Sequence, residues 1–194
     1  TCALPILRTE GEISLFTDGK FCKSERGELQ LTEYGISGIP VFQLSTYAVR
    51  AVREGHKAEL HINFMPELSE EELKKLLYAR KKACPYKKEK ELLVGLFPEK
   101  LIKILISQKQ LVSAIREFPL EVQDGMSFSQ AQVCSGGVDT SQVNSQTMES
   151  KLCRGLYFAG ELLDIDGTCG GYNLQWAWSS GAVAGKNAAK EEKN

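Results

Sequence analysis

Residues 155–185, GLYFAGELLDIDGTCGGYNLQWAWSSGAVAG, gather the residue types that could do chemistry. Leu156-Tyr157-Phe158-Ala159 reads as a short buried strand and Gly160-Glu161 as the turn that ends it. A loop carrying Gly167, Gly170 and Gly171 follows, and then a helix from about Tyr172 to Ala188. That order sets the Glu161 carboxylate at a strand end and the Gly170-Gly171 pair at a helix N-terminus. There, unpaired N–H groups and the positive end of the macrodipole face an electron-rich ligand. The pattern is that of a cofactor cradle.

Neighbouring residues have plainer readings. Asp164 and Asp166 suit turn residues that bond their own backbone. Cys169 lies near a helix end that could lower its thiol pKa, but a lone cysteine reads better as a small packed residue. Trp176 and Trp178 fall on different helix faces, and packing is the role expected of both. Gly136-Gly137 suits either a loop beside a ligand or an ordinary turn.

Four strings carry a resemblance: Gly136-Gly137-Val138; Thr147-Met148-Glu149-Ser150-Lys151; Gly155 through Glu161; and Gly170-Gly171-Tyr172-Asn173-Leu174-Gln175-Trp176-Ala177. They resemble the C-terminal signature of a family of FAD-binding flavoproteins that includes aminoacetone oxidases and reductases of unsaturated oxo-bile acids. Thr32-Glu33-Tyr34-Gly35-Ile36-Ser37-Gly38 matches as well, so the likeness covers roughly residues 4–189. The resemblance implies that Glu161, next to Gly160, accepts hydrogen bonds from the ribityl chain of FAD. It implies that Gly170, Gly171, Tyr172 and Asn173 face the pyrimidine edge, where negative charge accumulates on reduction, and that Gly136 and Gly137 lie near the cofactor. Hydride would pass between NAD(P)H or a small organic substrate and flavin N5, with no general base marked in the sequence.

The departures from the family are informative. Such proteins open on a βαβ unit whose G-x-G-x-x-G loop holds the FAD pyrophosphate, and no G-x-G-x-x-G occurs here. Gln142 and Ser145 stand where an acidic residue and a proline are expected. With Thr1 first, and no apolar signal core after it, the chain reads as an excised fragment that retains no FAD by itself.

Composition narrows the class. With 42% apolar and 25% charged residues and a net charge of −1, the 194-residue chain is an ordinary globular sequence, and no apolar run suits a membrane span. Cys2, Cys22, Cys84, Cys134, Cys153 and Cys169 are scattered, with no C-x-x-C and only His56 and His61 beside them, so a metal site is not expected. Free thiols in a reducing cytoplasm are the simpler reading.

The elements that must position the cradle can be sketched from pattern. Asp18-Gly19 between apolar alternations predicts a hairpin, with strand-like residues at 13–17, 21–23 and 28–32. Pro40 opens a helix ending at Gly55, and 57–64 alternates as a strand. Ser69-Glu70-Glu71-Glu72 is a capping box. Helices are expected at about 90–97, 98–107 and 110–117, and strand-like residues from 119 to 133. The class is α+β: an insertion, substrate-side domain over 1–128, holding a small β-barrel-like sheet and a helical subdomain, then the C-terminal piece of a flavin domain over 129–194.

Charge is uneven, for residues 74–118 hold 12 basic and 4 acidic residues. Over 69–90 these include Lys74, Lys75, Arg80, Lys81, Lys82, Lys87, Lys88 and Lys90. That helix could mark a non-catalytic binding module for RNA or a protein partner. We favour the solvated face of an amphipathic helix, with nucleic acid not expected.

Overall fold

The computed structural model describes residues 7–32, 35–125, 129, 131 and 133–191. Glu33 and Tyr34, part of the expected strand to 133 (126–128, 130 and 132), Cys2 and the end of the polar tail lie outside the described residues. The chain divides into two compact units, Thr1–Gly125 and Met126–Asn194. It is a mixed α and β protein. None of the helices among the described residues is long and apolar enough to cross a membrane.

The first unit is built on a long hairpin. Strands β1 (Leu7–Thr17) and β2 (Lys20–Thr32) meet at Asp18-Gly19, whose φ values of 49° and 75° are both positive. Paired positive φ matches the right-handed twist of the flanking strands, and Asp-Gly is among the few pairs that adopt it readily. The Asp18 carboxylate also accepts from Lys57 N at 3.0 Å and pairs with His56 Nδ1 at 2.8 Å. These bonds, the Lys57 one foremost, hold its pKa below the ordinary carboxylate value.

Three more strands complete an antiparallel sheet: β3 (Gly35–Ser37), β4 (Ala58–Asn63) and β5 (Phe118–Val122), in the order β3-β2-β1-β4-β5. Ile13 opposes Ile62 and Leu15 opposes Leu60 across the β1–β4 pair. One sheet face is therefore apolar, and α1 (Ile39–Arg53) buries Leu44, Ala48 and Ala51 in the same core. Helices α2 (Glu70–Ala83), α4 (Glu99–Ile106) and α5 (Leu111–Arg116) bring Leu73, Leu101, Leu105 and Ile115 to it, and Leu93, just after the short α3 (Glu89–Leu92), joins them.

Two expectations fail locally. The helix over 90–97 shrinks to the four residues of α3, because Gly95 at φ 84° turns the chain out of the helical region. The strand-like stretch after Pro119 ends at Val122, with Asp124-Gly125 following.

The capping box forms as the residues require. Ser69 Oγ accepts from Glu72 N at 3.3 Å, while the Glu72 carboxylate accepts from Ser69 N at 2.8 Å and from its hydroxyl at 2.7 Å. The hydroxyl bond is the leading cause that lowers the Glu72 pKa below its ordinary value. A carboxyl lowered on folding contributes stability above its unfolded pKa of about 4.3, and that contribution is lost as pH falls through the lower folded value. Ser69→Ala is expected to cost about 1 kcal/mol at pH 7 and clearly less at pH 3, as read from urea unfolding midpoints. An equal loss at both pH values would mean that the Glu72 charge plays no part.

Candidate cofactor site

The second unit is organised around one helix, α6 (Tyr172–Glu191). Its small core comprises Val143, Met148, Leu163 and Ala184, with Trp176 and Val183 packed against it. The helix is tied to the Gly160-Glu161 turn by two side chains one helical turn apart, which share a face at i,i+4 spacing. Gly160 N donates to Ser180 Oγ at 2.9 Å, and Trp176 Nε1 donates to Gly160 O at 3.1 Å. Ser180 Oγ in turn donates to Trp176 O at 2.6 Å. Ser180 is 1% exposed, so the clamp is dry. Sequence reading did not single it out, although a serine inside a helix one turn from a tryptophan is a signal for such a bond.

Glu161 lies on the single turn of 3-10 helix formed by Gly160–Leu162. Its exposed carboxylate accepts from Cys134 N at 3.4 Å. The expected strand before it is not one: Leu156–Ala159 makes a single antiparallel bridge, Glu149 with Tyr157, and Leu156 is exposed. A strand persists through a ladder, and the described residues supply it one bridging partner.

The Gly136-Gly137 loop joins the same cluster. Val138 pairs in parallel with Leu163, its N–H donating to Leu162 O at 2.8 Å while Asp164 N donates to Val138 O at 3.0 Å. Gly136 N donates to the Asp164 carboxylate at 2.8 Å. Asp164 therefore fastens this loop and does not cap its own turn. A Cβ at Gly137 would stand 2.6 Å from Leu162 O, so close backbone approach accounts for that glycine. The Gly136-Gly137 loop and the Gly160-Glu161 turn are thus joined through bonds of their neighbours, Cys134 N to Glu161, Val138 N to Leu162 O and Gly136 N to Asp164.

Gly170, Gly171, Tyr172 and Asn173 form a second group, at the start of α6. Gly170 and Gly171 have φ of 126° and 97°, a region closed to most side chains, and Gln175 N donates to Gly171 O at 2.9 Å to close the first turn. A Cβ on either glycine would meet nothing within 4 Å, so a ligand has open access to the helix end. The Asn173 amide is engaged in structure: its Oδ1 accepts from Gly167 N at 2.7 Å and its Nδ2 donates to Gly167 O at 3.0 Å. It pins the glycine loop against the helix start. Tyr172 is exposed and Cys169 is a free, half-buried thiol. Among the described residues no cluster of His, Cys, Asp and Glu could hold a metal ion.

The two tryptophans part company. Trp176 packs as expected and also bonds Gly160, whereas Trp178 is 72% exposed, against the packing expected of it. In the basic stretch, Arg80 donates to Leu92 O at 2.7 Å and to Val94 O at 2.8 Å, and Lys81 donates to Lys87 O at 3.3 Å. Lys74 pairs with Glu70. Part of the charge thus holds α2 to the following turn, while Lys75, Lys82, Lys88 and Lys90 stay exposed.

An open, glycine-led helix N-terminus, clamped to a turn that carries a carboxylate, suits the ligand-facing end of a dinucleotide-cofactor domain. Residues 20–187 match the HI0933-like protein Rossmann domain, and the chain belongs to this family of flavoprotein oxidoreductases. Among curated proteins it is 38% identical to the 3-dehydro-bile acid delta(4,6)-reductase of Clostridium scindens, over 95% of this chain and 49% of that protein. It is also 36% identical to the ribosomal RNA dihydrouridine synthase of Haemophilus influenzae, over 81% of this chain and 41% of that protein. The Escherichia coli protein of the same name is 33% identical, over 80% and 40%. The chain spans about half the length, or less, of the curated relatives it matches.

Removing the clamp tests this construction. Ser180→Ala leaves the buried Gly160 N–H without an acceptor, which costs about 1–3 kcal/mol. The 126–194 unit should unfold at lower urea, followed by the emission of Trp176 and Trp178, while far-UV circular dichroism in buffer stays unchanged. An unaltered midpoint would show that the bond does not hold the turn.

Proposed function

We propose that this chain is the C-terminal half of an FAD-dependent oxidoreductase. The observation that carries the reading is the Gly170-Gly171 opening at the N-terminus of α6, bound through Gly160 to the turn that bears Glu161. Free N–H groups there suit an electron-rich ring edge, and the exposed Glu161 carboxylate is an acceptor for a polyol chain. Residues 129–194 would be the returning piece of the flavin domain and 1–128 the substrate-side insertion. Bound FAD would supply two-electron, hydride-transferring chemistry. The chain's own residues position and polarise: the helix end favours negative charge, Asn173 holds the Gly167 loop, and Asp164 fixes the Gly136-Gly137 loop.

The names of the relatives suggest a substrate class. One relative is named a delta(4,6)-reductase of a 3-dehydro-bile acid and the others dihydrouridine synthases of ribosomal RNA, names that both describe reduction of an unsaturated bond. We infer that the whole protein does likewise on a small molecule, with NAD(P)H as the reductant and the cytoplasm as its compartment. The free thiols of Cys22, Cys84, Cys134, Cys153 and Cys169 suit that setting. RNA stands as a second reading, favoured by the exposed lysines of α2 beside exposed Tyr78 and Tyr86.

Purified by itself, the chain should be colourless, because the pyrophosphate-binding loop is absent from it. In the full-length protein, Glu161→Ala should raise the FAD dissociation constant roughly tenfold or more through the loss of charge-assisted hydrogen bonds. Gly171→Val should be worse, since it combines a strained φ with a side chain in the approach path. Flavin fluorescence titration reads both. Unchanged affinity in both variants would put the cradle elsewhere.

A further inference from the structure

Hydride addition to one carbon of a double bond leaves negative charge on the other, and that carbon must take a proton before product forms. Few groups along 160–173 have a proton to give. Carboxylates as a class have lost theirs at neutral pH, and two of the three in this stretch already accept bonds, Glu161 from Cys134 N and Asp164 from Gly136 N. The Asn173 amide is spent on both polar groups of Gly167. A phenol and a thiol remain as weak acids, those of Tyr172 and Cys169.

Tyr172 has the placement that the task requires. It directly follows Gly171, where an added Cβ would meet nothing within 4 Å, and it is 66% exposed, whereas Cys169 is half-buried. Its stem is nevertheless held, for a Cβ on Gly167 would stand 3.4 Å from Tyr172 Cβ, and Gly167 is itself pinned by Asn173. Its hydroxyl makes no hydrogen bond to another described residue. The first turn of α6 has no acidic residue, so the charge left on a phenolate there meets the positive end of the helix unopposed. We propose that Tyr172 is the proton donor of the reduction, and that the bond reduced is an alkene conjugated to a carbonyl. This rests on the reading of the whole protein as an FAD-dependent oxidoreductase. Hydride from the bound reductant, of the NAD(P)H or dihydroflavin class, brings two electrons to one alkene carbon. The π pair passes to the second carbon, which takes the Tyr172 proton as the O–H bond breaks, and the phenolate regains a proton from water. The alkene thus gains two hydrogens and two electrons, and the reductant loses the electrons.

The test loads the full-length protein with FAD, reduces it without oxygen using NADPH, and mixes it with 2-cyclohexen-1-one. Tyr172→Phe keeps the ring, so flavin fluorescence titration should give an unchanged FAD dissociation constant. Its reoxidation by the enone should nevertheless slow roughly a hundredfold or more, the usual contribution of a positioned general acid. Reoxidation by molecular oxygen, which puts no proton on carbon, should keep its rate. Imidazolium in the buffer should restore part of the enone rate, a rescue that a packing role for the ring does not allow. An unchanged enone rate in Tyr172→Phe overturns the proposal. So does a loss found in Cys169→Ser alone, which assigns the proton to the thiol, or a fall in FAD affinity that matches the loss of rate, which makes Tyr172 a cofactor-holding residue. An unsubstituted protein that binds no FAD, or whose reduced form ignores the enone, sinks the reading of function and the proposal with it.

Discussion

Gly160 is gripped at both of its backbone polar groups by one helix, through Ser180 on the N–H and Trp176 on the carbonyl. In a unit whose core among the described residues is four buried side chains, apolar burial alone positions little, and the direction of buried hydrogen bonds decides the arrangement. A dry donor without its acceptor costs more than the bond contributes when made. The turn therefore has one place to sit on α6. Glu161 follows from Gly160, the Cys134 backbone from Glu161, and the Gly136 loop from Asp164, three residues further on.

The first unit shows the opposite economy. Its sheet and helices share a large apolar core, and most of its pairing is antiparallel and local, as a hairpin permits. The second unit has a helix without charged residues from Tyr172 to Gly185 and no sheet among its described residues. That contrast is physical, and it agrees with the half-length match to the curated relatives.

The glycines of the two groups are there for different backbone reasons. Gly170 and Gly171 hold a conformation few side chains adopt and leave space before the helix end. Gly137 is a glycine because a carbonyl lies against it. Gly136, beside it, has open space like Gly170 and Gly171.

Sequence by itself determined what depends on neighbours along the chain. Asp18-Gly19 makes its hairpin, Ser69 and Glu72 cap α2, Pro40 sits in the first turn of α1, and Gly171 precedes the first residue of α6. Each of these is settled by backbone geometry or by a bond spanning a few residues. The family signature was legible too, because its strings are specific. What tertiary structure decided is whatever needs a partner from elsewhere. Leu156–Ala159 has strand residues but a single bridge, for a ladder needs a second edge. Asp164 reaches back to Gly136, and Ser180 to Gly160, across gaps that no local pattern spans. Trp176 and Trp178 are chemically alike and two positions apart, so composition could not separate them. The helical turn puts one against Gly160 and the other toward solvent.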